Sequence, residues 1–174
     1  MIANNRNLLL MAMVLCGLMT VGCLDGGDSA ADGSGLSDLF GEELLNVSRE
    51  TVKVADLADK KVAIYFSAQW CPPCRQFTPL LVNAHRELRS QGKPFEVVFV
   101  SGDQSDADMW KYVREYRMPW LVIPFGDERV RSLNARFSVR GIPRLVVVDG
   151  SGRVLSNDAR GDVASKGAAA WDSW

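Results

Sequence analysis

Few of the side chains on which site chemistry usually rests are present. The 174 residues contain one histidine, His85, and four cysteines. A single imidazole excludes histidine-rich metal centres and histidine proton relays. His85 also follows Cys74 by eleven positions, about 16 Å along a helix at about 1.5 Å per residue, so it cannot serve as base to either sulfur there. Lys and Arg (20) nearly balance Asp and Glu (21). With signs mixed along the chain and a net charge of −1, there is no electrostatic footprint for nucleic acid. No glycine-rich phosphate loop, Ser/His/Asp arrangement or internal repeat is present. The one long apolar run, Leu8 to Val21, falls short of the ~20 residues a spanning helix needs.

Cysteine scarcity narrows the chemistry further. Cys16 lies inside that apolar run and Cys23 just after it, which leaves Cys71 and Cys74 for the folded part. A disulfide framework beyond that pair is therefore excluded. A zinc site would need two further ligands that the sequence barely supplies. Asp103, Asp106 and Asp108 lack a bidentate acid at EF-hand spacing, so they read as turn and cap residues and no metal is expected.

What is present begins with a leader. Residues 1–22 combine Arg6, the apolar run and small residues at its end, as in a signal peptide. Thr20-Val21-Gly22-Cys23 resembles a bacterial lipoprotein cleavage box, with Thr20 standing where Leu is usual. The expectation is an exported protein anchored to the cell envelope by lipid on Cys23, facing the periplasm, or secreted if Cys23 stays unmodified. Residues 23–35 carry the anchor cysteine and a Gly/Asp/Ser-rich flexible tether. Residues 36–174 form one domain, since 47% hydrophobic content supplies a core.

Within that domain, Lys61–Ser67 and Phe95–Ser101 are nearly continuous apolar runs, the mark of strands covered on both faces. After Cys74, Phe77, Leu80, Leu81, Ala84 and Leu88 fall at helical spacing, with Pro79 predicting a kink. Further helices are predicted over Asp106–Tyr116, capped by Ser105 or Asp106, over Asp127–Phe137, and over Val163–Trp174. Leu36–Leu45 reads as a short helix followed by strand onset, and Trp120–Ile123 as a short extended piece. Arg144–Val148 and Arg153–Ser156 form a hairpin about Asp149-Gly150-Ser151-Gly152. Trp110, Trp120, Phe125 and Phe137 are expected in the core. The fold class is α/β, a central mixed sheet with helices on both faces.

The chemistry centres on Trp70-Cys71-Pro72-Pro73-Cys74-Arg75, where a buried strand turns into a helix. With Cys71 at the N-cap, Pro72 and Pro73 take the first helical positions, where a missing N–H is tolerated. The nearest backbone donors to the sulfur are then the amides of Cys74 and Arg75. Orphan N–H groups and the helix dipole favour a thiolate there. Cys71 is expected to be the exposed attacking thiol and Cys74 the resolving one. Arg75 adds nearby positive charge or points into solvent, and Trp70 is expected to shield the site and meet partners. A structural disulfide and half of a zinc site stay open as other readings of the pair.

Several dispersed motifs carry a resemblance. Tyr65-Phe66-Ser67-Ala68, Trp70 to Arg75, Phe77-Thr78-Pro79, Phe99-Val100-Ser101, Met118-Pro119-Trp120-Leu121 and Gly141-Ile142-Pro143 stand in the order found in the thioredoxin superfamily. They resemble its tryparedoxin/nucleoredoxin branch in particular, over about Leu36 to Asp162. The resemblance implies a thioredoxin-like fold and a thiol–disulfide oxidoreductase that uses the Cys71–Cys74 disulfide and no other cofactor. It implies a cis peptide before Pro143, with Ile142 and Pro143 forming a substrate-binding loop. It also implies protein disulfide or dithiol partners, a separate electron donor and a monomer. Tyr65 stands where thioredoxins proper carry a buried carboxylate, so the group that assists Cys74 is left unnamed. Arg144 follows Pro143, where a small polar residue is common, and either favours acidic partners or is simply exposed. Envelope cytochrome maturation, oxidative folding and a binding module with a structural disulfide are the competing functions.

Overall fold

The computed structural model describes residues 35–174. The expected leader (1–22), Cys23 and nearly all of the tether lie outside the described residues. The elements run α1 (Leu36–Phe40), β1 (Glu43–Leu45), β2 (Thr51–Lys53), a 3-10 turn (Val54–Leu57), β3 (Lys61–Ser67), α2 (Pro72–Ser90) and β4 (Phe95–Ser101). They continue with α3 (Asp106–Glu115), β5 (Leu121–Val122), α4 (Glu128–Arg136), β6 (Arg144–Val148), β7 (Val154–Ser156), α5 (Arg160–Lys166) and a 3-10 segment (Gly167–Ser173).

Seven strands form one sheet in the order β2-β1-β5-β4-β3-β6-β7. At its centre β3 pairs parallel with β4 and antiparallel with β6. Side chains of a strand alternate between faces, and an apolar run therefore feeds two cores. Ala63 and Tyr65 pack on one face with Phe95, Val97, Phe99, Leu145 and Val147. Val62, Ile64 and Phe66 pack on the other with Val98, Val100, Val146 and Val148. The first face is covered by α2, α3, α5 and the 3-10 segment, the second by α1 and α4. This mixed sheet with helices on both faces is the expected fold class.

Caps fix where the helices begin. The Ser105 hydroxyl accepts the Asp108 amide at 3.1 Å, and the Asp127 carboxylate accepts the Arg129 amide at 2.9 Å. Arg129 then reaches back from α4, donating to the carbonyls of Phe40 and Glu43 and pairing with Asp127 at 2.6 Å. One side chain thereby fastens α4 to the turn between α1 and β1.

Three expectations are corrected. Leu80 is 43% exposed while Val82 is buried: the buried stripe of α2 runs through Cys74, Phe77, Thr78, Leu81, Ala84, His85 and Leu88, and Leu80 lies outside it. Phe125 is 40% exposed, because it sits in the turn between β5 and α4 and not on an element facing the sheet. The last helix is not continuous over Val163–Trp174. It starts at Arg160 and stops at Lys166, where Gly167 takes a positive φ of 58°, a conformation that ends helices and favours glycine. In α2, Pro79 lies within a helix that runs from Pro72 to Ser90.

His85 belongs to the edge of the core. It is buried between the rings of Phe95 and Trp120, and its Nε2 lies 3.0 Å from Glu96. Phe95 begins β4 and pairs with Lys61, so this histidine occupies the sheet end opposite Cys71.

The contrast on α2 is testable. Leu81→Ala should cost about 3 kcal/mol of unfolding free energy, from lost burial plus a residual cavity. Leu80→Ala should cost less than about 1 kcal/mol. Urea denaturation of the two variants checks this, and equal losses would contradict the assigned face.

Candidate active site

The site forms where β3 ends. The Ala68–Trp70 turn follows Ser67, and Cys71 then caps α2 with its extended backbone while Pro72 and Pro73 fill the first helical positions. The two cysteines are joined as a disulfide, with Cα atoms 5.2 Å apart. The Cys74 amide donates to the Cys71 sulfur at 3.3 Å. The Arg75 amide donates instead to the Cys71 carbonyl at 3.1 Å. Of the two donors expected for the sulfur, one is therefore spent on the backbone. A 19-residue helix directs its positive end at this sulfur.

The turn is tied to the end of β4 by three hydrogen bonds. The Gly102 amide donates to the Ser67 carbonyl (2.8 Å), the Gln69 amide to the Asp103 carboxylate (2.8 Å), and the Trp70 indole N–H to the Gly102 carbonyl (3.0 Å). Trp70 is thus held at its polar edge while 58% of it remains exposed. Asp103 also accepts from the Ser101 hydroxyl at 2.8 Å. It lines two hollows, one of about 150 Å³ beside Trp70 and one of about 340 Å³ reaching Phe125 and Arg131. A hollow of about 450 Å³ at Glu42 and Asp127–Arg129 includes no residue of the cysteine turn or the Pro143 loop.

On the other side stands the Gly141–Pro143 loop. The Ile142–Pro143 peptide is cis, and the Ile142 carbonyl oxygen lies 3.7 Å from the Cys71 sulfur. That contact becomes a hydrogen bond only when the sulfur carries a proton. Arg160 donates to the Pro143 carbonyl at 3.2 Å, and Arg144 reaches Asp158 at 3.4 Å. Arg144 is therefore engaged with an acid of its own chain, and its Nε is buried without a partner.

Placement of the expected residues is mostly convergent. Cys71, Cys74, Trp70, Pro72, Pro73, Ile142 and Pro143 meet in one place, Arg75 is exposed on α2, and Cys23 lies outside the described residues. The expected exposure of Cys71 is corrected. The residue is 3% accessible and Cys74 fully buried, because Ala68 and Ile142 pack against the bonded pair. On the flank of the pair, Trp70, Pro72 and Pro73 are exposed. Among the described residues no cluster of three or more His, Cys, Asp or Glu is placed to hold a metal ion.

Beneath the pair lies a feature that residue spacing does not display. Thr78 donates from its hydroxyl to the Cys74 carbonyl at 2.8 Å, and Tyr65 reaches the same carbonyl at 3.4 Å. Tyr65 and Tyr112 both hydrogen-bond the Thr78 hydroxyl, at 2.8 and 2.5 Å, and Tyr112 meets Ser67 at 3.1 Å. All four side chains belong to buried residues. Burial pushes the phenols of Tyr65 and Tyr112 up from their usual value, so both stay neutral in ordinary buffers.

Comparison with known proteins agrees with this geometry. A thioredoxin-like family profile matches residues 59–154. A probable nucleoredoxin 1 of Arabidopsis thaliana is 45% identical over 147 residues, covering 83% of this chain and 25% of its own. The nucleoredoxin of Danio rerio is 40% identical over 121 residues, covering 69% and 28%. The chain thus spans little more than a quarter of the length of these curated relatives. Among solved structures, thioredoxin from Wuchereria bancrofti (42% identity, TM-score 0.68) is covered over 89% of its length and 74% of this chain. Native tryparedoxin I from Crithidia fasciculata (39%, TM-score 0.71) is covered over 94% of its length and 78% of this chain. The chain belongs to the thioredoxin-like family. Within that superfamily it falls in the tryparedoxin/nucleoredoxin-like branch.

The Asp103 carboxyl is held above the usual carboxylate range. Burial is the main cause and Asp108 adds to it, while the bonds from Ser101 and Gln69 act in the opposite sense. The folded protein therefore binds this proton more tightly than the unfolded chain. Its contribution is complete at low pH and is lost as pH rises through the raised value. As pH rises from about 4, the ordinary aspartate value, the stability of the wild type relative to Asp103→Asn should fall. Chemical denaturation at several pH values measures that difference, and a rise with pH would contradict the assignment.

Proposed function

We propose that the chain is an envelope-located thiol–disulfide oxidoreductase that reduces protein disulfides through Cys71. The observation that carries this reading is the bonded pair at the start of α2, with the Cys74 amide on the Cys71 sulfur and the Ile142 carbonyl opposite. In the reduced protein, the same amide and the helix dipole stabilise a Cys71 thiolate. That thiolate attacks one sulfur of a partner disulfide. A Cys71–partner bond forms, and the partner's other sulfur leaves as a thiolate that takes up a proton. The Cys74 thiolate then attacks the Cys71 sulfur. The intramolecular disulfide forms, the second partner sulfur is released, and two electrons have passed from the cysteine pair to the partner.

Each turnover leaves the pair oxidised, so a separate reductant must restore it. The exposed Gly141 and half-buried Ile142 beside the sulfur offer backbone groups for an extended partner segment to pair with. Exposed Trp70 supplies an apolar face on the other flank. Envelope location and lipid attachment at Cys23 rest on the leader pattern of residues 1–23. A folded part with two cysteines, both in the reactive pair, is compatible with an oxidising compartment.

Replacing the resolving cysteine tests the mechanism. Cys74→Ser should accumulate mixed disulfides on Cys71 that thiol reductant releases, seen as gel-shifted adducts identified by mass spectrometry. Cys71→Ser should form none at this site, and absence of adducts in Cys74→Ser would overturn the mechanism. For the anchor, Cys23→Ala should move the protein from the membrane fraction to the soluble one. Unchanged fractionation would remove Cys23 as the attachment point.

A further inference from the structure

The resolving cysteine sits over a floor of neutral hydroxyls, and their proton count can be worked out. Each hydroxyl has one proton to give, and the Thr78 proton goes to the Cys74 carbonyl at 2.8 Å. The Thr78 oxygen is then free to accept from both Tyr65 and Tyr112, which uses its two lone pairs. Tyr112 in turn accepts from Ser67 at 3.1 Å. The donors form a chain that converges on one acceptor, the backbone oxygen of Cys74. Tyr65, within 3.4 Å of that same oxygen, can satisfy it alone if Thr78 turns away.

Thr78 is four residues beyond Cys74 on a continuous helix. Side chains so spaced are neighbours, with Cβ atoms about 5–6 Å apart. The Thr78 hydroxyl thus lies one helical turn beyond Cys74 on the same face, already bonded to the Cys74 backbone, and rotation about its C–O bond redirects its proton. The buried polar residues of the described chain are Ser67, Thr78, His85 and Ser101, so no buried carboxylate competes for this task among them. Of the titratable side chains on the neighbouring elements, Tyr65 from β3 reaches the Cys74 carbonyl and Tyr112 from α3 meets Thr78, while Ala68 and Ile142 pack against the cysteine pair itself. The Arg75 side chain is exposed on α2, and Asp103 stands behind the Gln69 amide.

We propose that, in the reduced protein, the Thr78 hydroxyl is the hydrogen-bond donor to the Cys74 thiolate, with Tyr65 taking over the Cys74 carbonyl and Tyr112 holding the Thr78 oxygen in place. The inference deepens the reading above and rests on Cys74 acting as the resolving thiol. An unionised donor at this place stabilises the thiolate without accepting its proton. That proton leaves through solvent or to the departing partner thiolate. The second step of exchange should accordingly follow a single thiol titration. Tyr65 and Tyr112 are positioning residues, since they act on the sulfur through Thr78.

The two steps separate with 5,5′-dithiobis(2-nitrobenzoate) as oxidant of the reduced chain carrying Cys16→Ser and Cys23→Ser, in which Cys71 and Cys74 are the remaining thiols. Attack by Cys71 releases one nitrothiobenzoate anion and leaves a Cys71 mixed disulfide. Attack by Cys74 then releases a second anion and closes the protein disulfide. In Thr78→Val the second release should slow about tenfold relative to the first, and its pH midpoint should rise by about one unit, the loss expected for a hydrogen bond to a charged group. Thr78→Ser, which keeps the hydroxyl, should restore both, and Tyr112→Phe should give a smaller shift in the same direction. A second phase in Thr78→Val matching wild type at every pH would overturn the proposal. So would a Thr78→Ser variant as slow as Thr78→Val, which would assign the effect to packing. Failure of the oxidoreductase reading looks different: the first release itself would then be no faster than that of a free thiol.

Discussion

The antiparallel pairing of β3 with β6 is the constraint from which the site follows. Because β3 ends where β6 begins, Phe66 lies across from Arg144. The turn leaving β3 and the loop entering β6 must then share one end of the sheet. The cysteine turn and the Ile142–Pro143 peptide are distant in the chain, yet the register leaves them no other place. Parallel pairing with β4 adds the third wall: Ser67 lies beside Ser101, so Gly102 and Asp103 meet the Gln69–Trp70 turn. A strand with neighbours on both sides and helices over both faces has little freedom to shift, and the geometry around the sulfurs inherits that rigidity.

The electrostatics of the site divides between the two sulfurs. Cys71 receives a backbone amide and the positive end of a long helix, which are fixed dipoles that need no reorganisation when charge develops. Cys74 is buried, and the hydroxyls of Thr78 and Tyr65 on its carbonyl are polar without being ionised. Burial of a charge is costly unless paired or hydrogen-bonded. Under the proposed mechanism, this asymmetry would let the outer sulfur carry charge before exchange begins and leave the inner one to acquire it during resolution. Near neutrality, the carboxylate most closely linked to this region, Asp103, acts on the backbone of the turn.

Features written in contiguous residues were legible beforehand. The buried strands announce themselves as unbroken apolar runs at Lys61–Ser67 and Phe95–Ser101. The Trp70–Arg75 turn carries its own helix start in two prolines, and Ser105 and Asp127 mark helix starts by their capping chemistry. What escaped depends on residues far apart. Ser67, Thr78 and Tyr112 come from three elements, and a hydroxyl network leaves no periodicity to detect. Asp103 read as a turn residue because nothing nearby in sequence signals its bond to Gln69. The burial of Cys71 arises from the Ile142 loop folding over it, and the exposure of Phe125 from its place in a turn. Gly167 could have been read as a helix stop, but the apolar residues around it masked the signal.

The sheet is bounded by two strands of three residues each, β2 and β7. A border that short offers few unpaired backbone groups, and Lys53 adds charge to one of them. Exposed long borders are what allow sheets of separate molecules to join into fibres. This architecture therefore keeps a strongly apolar central sheet out of reach of its own copies. At high local density, as on a crowded surface, that protection against self-templating counts as much as the stability of any single molecule.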